Sequence, residues 1–180
     1  MKYCSECGHQ VVLKVPPDDH LPRYTCVSCG TIHYQNPKLV VGCIPEWDGK
    51  VLLCRRAIDP RKGCWTLPAG FMENNETTEQ AAMRETAEEA LAEVDILAPL
   101  ALVSVPHISQ VHLLFHGRLR REQFGVGAET LETALFNQSV IPWEGIAFPS
   151  VRYALERFFE DQRRGQYGFH VTTWRKITAP

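Results

Sequence analysis

The stretch Gly70–Leu91, GFMENNETTEQAAMRETAEEAL, decides how the rest of the chain is read. Thr77-Thr78-Glu79-Gln80 has the form of a capping box, in which two side chains satisfy free backbone amides, so a helix is expected to begin near Thr77. From there Met83, Ala87, Ala90, Leu91 and Val94 fall at helical spacing and form the expected apolar stripe. At roughly 100° per residue, Glu85, Glu88 and Glu89 share an arc of roughly 100° on the opposite side.

That arc is electrostatically unfavourable. Glu85 and Glu89 are a like-charge pair one turn apart, as are Glu85 and Glu88, and the cluster lies towards the helix end that repels negative charge. The position four residues after Glu85 is another glutamate, so no basic residue relieves it there. A bound divalent cation removes the conflict. Magnesium, a hard ion that takes oxygen ligands and keeps several waters, suits such a group.

The chain has 180 residues, room for one ordinary domain and a small satellite. A net charge of −2 gives no basic field for general binding to nucleic acid or membrane. The start, MKYCSECGHQ, lacks the apolar core of a signal peptide, and no apolar run approaches the length of a membrane span. A cytoplasmic protein is expected. Seven cysteines, an odd number, do not fit a secreted disulfide framework.

Four of those cysteines make two knuckles, Cys4-x2-Cys7 and Cys26-x2-Cys29, at the spacing of a zinc site. Gly8 and Gly30 follow the second cysteine of each pair, where a tight turn aims backbone amides at the thiolates. So short a segment cannot bury a core, and metal binding is expected to supply its folding energy. Four thiolates leave no open coordination position, so the zinc is structural. His9, His20 and His33 are read as surface or packing residues, and Pro16-Pro17-Asp18-Asp19 as a turn.

Gln35-Asn36-Pro37 reads as a hinge. Lys38–Ile44 and Val51–Arg56 are strand-like about an Asp48-Gly49 turn, which predicts a hairpin. Cys43 and Cys54 are read as small core residues, and Cys64 precedes Trp65 in a loop. Arg55 and Arg56, or Arg61 and Lys62, are candidates to meet phosphate oxygens. Gly70 permits close approach of its backbone to a metal or phosphate. Leu100–Val105 and Val111–Leu119 read as strands, Gly125–Leu131 as a loop, and Ser150–Arg164 as a closing helix. That helix packs Val151, Ala154, Leu155, Phe158 and Phe159 inward, and its polar side is read as solvated. His107, His112 and His116 show no repeated ligand spacing. Tyr167–Ile177 is expected to add an edge strand.

Gly70, Glu76, Arg84, Glu85, Glu88 and Glu89 fit the pattern GX5EX7REUXEEXGU, U being aliphatic, and here the chain resembles the Nudix hydrolases. Thr86 stands at an aliphatic place. Ala90 is read as replacing the last glycine, so the helix is not expected to break there through a left-handed residue. With YQNPKLVVGC, KVLLCRR, GCWTLPAGF and AMRETAEEA, the likeness runs from Cys4 to about His170. It is similar to the zinc-ribbon Nudix group that includes FAD and ADP-ribose pyrophosphatases. The SQPWPFPxS-like segment of NADH pyrophosphatases is missing; VSVPHISQVHLL stands in its place.

The resemblance implies an α+β chain: a Nudix fold, a mixed sheet sandwiched between helices, at 36–180, after a four-cysteine zinc ribbon at 1–35. It implies hydrolysis of the pyrophosphate bond in a nucleoside diphosphate linked to another moiety, FAD or ADP-ribose first. Rivals are a diadenosine polyphosphate or nucleotide-sugar hydrolase, and a non-catalytic nucleotide sensor. By resemblance Glu85, Glu88 and Glu89 hold Mg2+ or Mn2+, with the Gly70 carbonyl as an extra ligand, and Glu76 and Arg84 form a supporting ion pair. Glu132, ahead of Glu129, is expected to supply one more carboxylate as ligand or general base. Phe115, Phe124 and Trp143 are candidates to stack on a base. A small nucleotide substrate is expected, with no nucleic acid or membrane partner. The fold commonly forms homodimers, though no residue here specifies an interface.

Overall fold

A computed structural model describes residues 1–176 of the chain. It divides into two compact units, Met1–Pro37 and Lys38–Pro180.

The first unit is a three-stranded antiparallel sheet of β1 (Val11–Lys14), β2 (Arg23–Cys26) and β3 (Ile32–His33). Gly8 and Gly30 take left-handed backbone at φ 74° and 75°, as the knuckle turns require. The Gly8 amide donates to the Cys4 carbonyl at 3.0 Å, and the Cys26 amide to that of Thr31 at 2.9 Å. Asp19 donates to the Pro16 carbonyl at 3.3 Å, closing the expected turn. Its buried apolar cluster is Cys4, Val11 and Cys26 with Tyr24 against it, too little to hold the unit by burial.

The second unit is built, among the described residues, on an eight-stranded mixed sheet. Its strands are β4 (Lys38–Trp47), β5 (Lys50–Arg56), β6 (Trp65–Thr66), β7 (Ala69–Phe71), β8 (Val94–Val105), β9 (Gln110–Leu119), β10 (Thr130–Phe136) and β11 (His170–Thr173). The order across it is β10-β5-β4-β9-β8-β11, with β6 on β5 and β7 on β4. β4 and β5 form the expected hairpin: Asp48 and Gly49 both have positive φ, the twist that two-residue hairpins favour. β11 pairs in parallel with β8, so the tail does add an edge strand; Ile177 lies outside the described residues.

Helix α1 (Thr78–Ala90) covers one face and α2 (Pro149–Arg164) the other. Alternation along β4 sorts the two cores, with Val41 and Cys43 facing α1 and Ile44 facing α2. Val151, Ala154, Leu155, Phe158 and Phe159 are all buried, as expected. The polar side of α2 is not merely solvated. Asp161 is buried, accepts from the Gly168 amide at 2.9 Å and lies 2.7 Å from His170 Nε2, fastening the turn into β11. Among the described residues, no helix is long and apolar enough to cross a membrane.

α1 starts as its sequence says: Thr77 is the N-cap, and its hydroxyl and the Gln80 side chain make the reciprocal capping box. The expected apolar stripe is wrong. Ala87 and Leu91 are exposed, and Val94 opens β8. The inward face is Ala81, Ala82, Thr86 and Ala90, together with Glu85 and Glu89. Small side chains bring the helix axis close to β4 and β7, and two of the positions that periodicity would fill with apolar residues carry the carboxylates.

The end of α1 also differs from expectation. Counted along the pattern, the last glycine falls at Leu91, not Ala90, and Leu91 is left-handed at φ 48°. The helix breaks there without a glycine. Its terminal carbonyls are covered by the Gly125–Leu131 loop: Gly125 donates to Ala90 O at 2.7 Å, Gly127 to Glu89 O at 3.1 Å, and the Thr130 hydroxyl to Glu89 O at 2.7 Å. A Cβ on Gly127 would sit 1.8 Å from the Glu88 carbonyl oxygen, so no larger residue fits.

Two outcomes follow. Leu91→Gly relieves a left-handed non-glycine residue and should stabilise the protein by about 1 kcal/mol, read as a rise of roughly 2–4 °C in melting temperature. A chelator strong enough to strip the zinc ion expected from the cysteine spacing should abolish amide protection over Met1–Pro37 while the helical circular dichroism, which arises in the other unit, persists.

Candidate active site

A glycine and a split in the sheet make the site. β4 and β5 pair only next to their turn, at Glu46 with Val51 and Trp47 with Lys50. Beyond that β6 pairs Cys54 with Thr66 and β7 pairs Val41 with Gly70, so the segment Trp65–Phe71 is wedged between them. The crossing is tight: a Cβ on Gly42 would lie 2.3 Å from the Pro68 carbonyl oxygen. A Cβ on Gly70 would lie 2.3–2.5 Å from the carboxylate atoms of Glu85. Residue 70 is glycine because a glutamate side chain rests on its backbone. Glu89 reaches the same wedge and accepts from the Ala69 amide at 3.3 Å.

Arg84 organises the rest. Its guanidinium grips Glu76 with two nitrogens of one edge, Nε to Oε2 at 3.0 Å and Nη2 to Oε1 at 2.9 Å, and Nη2 donates to the Phe71 carbonyl at 3.2 Å. Glu76 in turn accepts from the Glu73 amide at 2.6 Å. This planar fork-to-fork pairing pins the Phe71–Asn75 loop to the helix, and the Arg84 guanidinium lowers the Glu76 carboxyl to about 2. Arg84 Nη1 also donates to Glu85 at 2.7 Å and to Glu88 at 3.2 Å. The acidic arc therefore has a basic partner that the spacing argument overlooked, because Arg84 precedes the cluster.

Glu85 and Glu89 are each 8% exposed. Burial raises the Glu85 carboxyl despite Arg84, and burial with the neighbouring Glu85 charge lifts Glu89 to about 8. Two buried carboxylates beside further acidic groups suit a hard divalent ion, whose charge would hold both ionised. Unlike the four thiols, the oxygens of Glu85, Glu88 and Glu89 are not all within 4.8 Å of one another. Glu88, whose side chain is 61% exposed, is the member free to swing towards an ion.

These groups open into a cleft of about 830 Å3. Gly70, Arg84, Glu85, Glu88, Glu89, Arg56 and Glu129 line it. Arg56 is held by its Nε bond to the Pro60 carbonyl at 2.9 Å and lies over the Phe148 ring. Arg55 and Glu132 do not join the cleft. They lie opposite each other on paired strands and meet at 3.2 Å, so of the two expected carboxylates it is Glu129, not Glu132, that lines the cleft. Residues 55 and 56 alternate across the sheet, and only one of them can face the site. Arg61 and Lys62 lie outside the lining too. Phe115 is buried in the α1 core, Phe124 packs against that core, and Trp143 packs on the α2 core, so none is placed to stack on a base. The aromatic rings that do line the cleft are Phe71 and Phe148. Gln110, His112 and Ser150, also in its wall, carry no motif that marks them in the sequence; His112 reaches the wall as the cross-strand partner of Val40.

In the first unit, the Sγ atoms of Cys4, Cys7, Cys26 and Cys29 lie within 4.8 Å of one another. The amides of Ser28 and Cys29 point at Cys26 Sγ at 3.4 Å, and hydrogen bonding from Thr31 brings the Cys29 thiol down to about 6. This donor set fits a closed tetrahedral zinc ion. His33 is more than surface: its Nε2 lies 3.3 Å from Cys4 Sγ.

A split mixed sheet between two helices, with glutamates of one helix reaching a glycine of the wedge, defines a Nudix-fold protein with a thiolate knuckle unit. Residues 36–139 match the NUDIX domain family and residues 2–35 the Nudix N-terminal zinc-ribbon family. The chain belongs to the Nudix hydrolase family. A crystal structure of a NUDIX hydrolase from Nitrosomonas europaea is 55% identical, superposes with a TM-score of 0.95, and spans 98% of this chain and 100% of that one. An ADP-ribose pyrophosphatase of Methanocaldococcus jannaschii is 48% identical over 56 residues, 31% of this chain and 33% of that protein. The NAD-capped RNA hydrolase NudC of Vibrio atlanticus is 34% identical over 93 residues, 49% of this chain and 31% of that protein. The chain thus spans about a third of the length of these curated relatives.

The Glu89 carboxyl gives a pH dependence of definite sign. Its folded value of about 8 lies above the ordinary 4.5, so between these values the folded protein keeps a proton that the unfolded chain has released. Without divalent ions, stability should fall as pH rises from about 4.5 through about 8, by a few kcal/mol at roughly 1.4 kcal/mol per pH unit at most. Glu89→Gln should flatten that slope; urea unfolding across this range with chelator present would detect it, and an unchanged slope in the variant would refute it.

Proposed function

We propose that the cleft hydrolyses the diphosphate linkage of a nucleoside diphosphate joined to a second moiety, with FAD and ADP-ribose as the leading substrates, and with Mg2+ or Mn2+ as the catalytic ion. The observation that carries this reading is the pair of buried carboxylates, Glu85 and Glu89, set against the backbone of β7 in the wall of a cleft that Arg56 also lines. A cleft lined only for a neutral ligand would not bury two acids beside each other. ADP-ribose and the NAD cap, which the relatives' names mention, each contain a diphosphate, and that chemistry supports the class of bond.

In this reading Glu85, Glu88 and Glu89 hold the divalent ion, with the Gly70 carbonyl as a further oxygen donor. When bound, the ion neutralises charge on the diphosphate and lowers the pKa of the attacking water. Arg84 and Glu76 fix loop against helix, so that the ligands keep their places. Arg56, steadied by Phe148 and the Pro60 carbonyl, contributes a guanidinium edge to a phosphate oxygen. Glu129 takes the proton from the attacking water: its backbone carbonyl is anchored by the Ala57 amide at 2.8 Å, and its charge acts on both Glu85 and Glu89. The two products are monophosphates.

Incubation with Mg2+ and FAD, ADP-ribose, NADH, a diadenosine polyphosphate or UDP-glucose, following monophosphate release, tests the reaction. ADP-ribose or FAD should turn over fastest. Glu129→Gln should lower kcat at least about 100-fold, with Glu132→Gln close to the wild type. No turnover of any diphosphate would mean a nucleotide sensor in place of an enzyme.

A further inference from the structure

We propose that Thr130 is a positioning residue for the reaction: its hydroxyl clamps the turn at 127–130 onto the main chain of Glu89 and so fixes where the Glu129 carboxylate stands against the acids of α1. This deepens the reading of Glu129 as the proton acceptor, on which it rests.

Residues 127–130 make a single turn, closed by the Thr130 amide on the Gly127 carbonyl at 3.1 Å. Ala128 and Glu129 are its two central residues, and both line the cleft. The two corners of the turn donate to one acceptor. The Gly127 amide reaches Glu89 O at 3.1 Å, and the Thr130 hydroxyl reaches it at 2.7 Å. A carbonyl oxygen can only accept, so the direction of the hydroxyl bond is fixed. Thr130 is buried, and water does not compete for that bond. Glu89 therefore serves twice. Its side chain is one of the two buried acids, and its carbonyl anchors the turn that carries Glu129.

The start of β10 explains how Thr130 comes to face the helix. Thr130 pairs with Arg56 and Glu132 with Arg55, a register shift that makes Leu131 an extra residue. In a regular strand Thr130 and Glu132, two apart, would share a face. The bulge lets Thr130 turn towards α1 while Glu132 turns to Arg55 outside the cleft. On its other side the turn is tied to the end of β5, where the Glu129 carbonyl accepts from the Ala57 amide at 2.8 Å, one residue from Arg56. The main chain around Glu129 is thus held by two elements, α1 through Thr130 and β5 through Ala57. Without the hydroxyl, among the described residues, the turn keeps only the longer Gly127 bond to the helix. A general base acts over hydrogen-bond distance, and a drift of roughly 1 Å is enough to slow the step about 100-fold.

Steady-state kinetics on ADP-ribose and FAD with Mg2+, joined to amide exchange in the metal-free protein, test the assignment. Thr130→Val keeps the shape and removes the hydroxyl; kcat should fall about 10- to 100-fold, with KM and Mg2+ affinity within about 2-fold of wild type. Thr130→Ala, which removes the same hydroxyl with a smaller side chain, should do likewise. Thr130→Ser keeps the hydroxyl and should hold kcat within about 3-fold of wild type. In a Glu129→Gln background Thr130→Val should slow the enzyme no further, because a base that is absent cannot be misplaced. Without metal, exchange of the Gly127 amide should quicken about 5- to 10-fold in Thr130→Val while the amides within α1 keep their protection. An unchanged kcat, a fall in Mg2+ affinity that matches the fall in kcat, or unchanged exchange at Gly127 would overturn the proposal. So would a loss that is as large with Glu129→Gln present as without it; that result, with Glu129→Gln itself slow, sinks the clamp alone. Full activity of Glu129→Gln would overturn the proposal through the base on which it rests, and no turnover of any diphosphate through the enzymatic reading.

Discussion

The Glu85 carboxylate lies where the side chain of residue 70 would otherwise be, and much of the second unit's geometry follows from that contact. It requires glycine at position 70, a helix face of alanine and threonine so that α1 comes close enough, and a sheet split so that the wedge strands meet the helix. It also sets an electrostatic problem. Two carboxylates held in a nearly dry corner resist ionisation; the fold meets this partly with Arg84, and the remainder is what a bound cation would relieve. The same corner lines the cleft, so the group that relieves the repulsion would sit in the cleft wall.

The two units divide the physical work. Met1–Pro37 has almost no apolar core and depends on four thiolates gathered at two glycine turns. Lys38 onwards has two cores, one on each face of the sheet, and can spend part of one helix face on acids. Around the cleft, charge is segregated. Acids and Arg56 gather at the wedge, and the neutral side chains of Gln110 and His112 stand on β9.

Much of this was legible in the sequence, and the reasons are local. The capping box at Thr77, the Asp48-Gly49 hairpin, the paired cysteine knuckles and the glutamate spacing each depend on residues close along the chain. What was not legible depended on the third dimension. The expected stripe on α1 failed because the inward face carries Glu85 and Glu89 among small residues in place of large apolar ones, so periodicity pointed to the wrong side. That Glu132 stands outside the cleft was not legible either: its alternation on β10 turns it towards Arg55, while the loop before it brings Glu129 into the cleft wall. The left-handed Leu91 was hidden because leucine gives no signal for that conformation. The bond between Ser150 and His112 joins α2 to β9 and has no sequence signature.

The carboxyl 13C resonance of Glu89, followed through a pH titration with and without saturating Mg2+, tests the central claim most directly. The account predicts a midpoint near 8 in the metal-free protein and a fall below the ordinary carboxylate range once Mg2+ is present. A midpoint that stays in place with Mg2+ saturating would show that the buried acids do not hold the cation, and would contradict it.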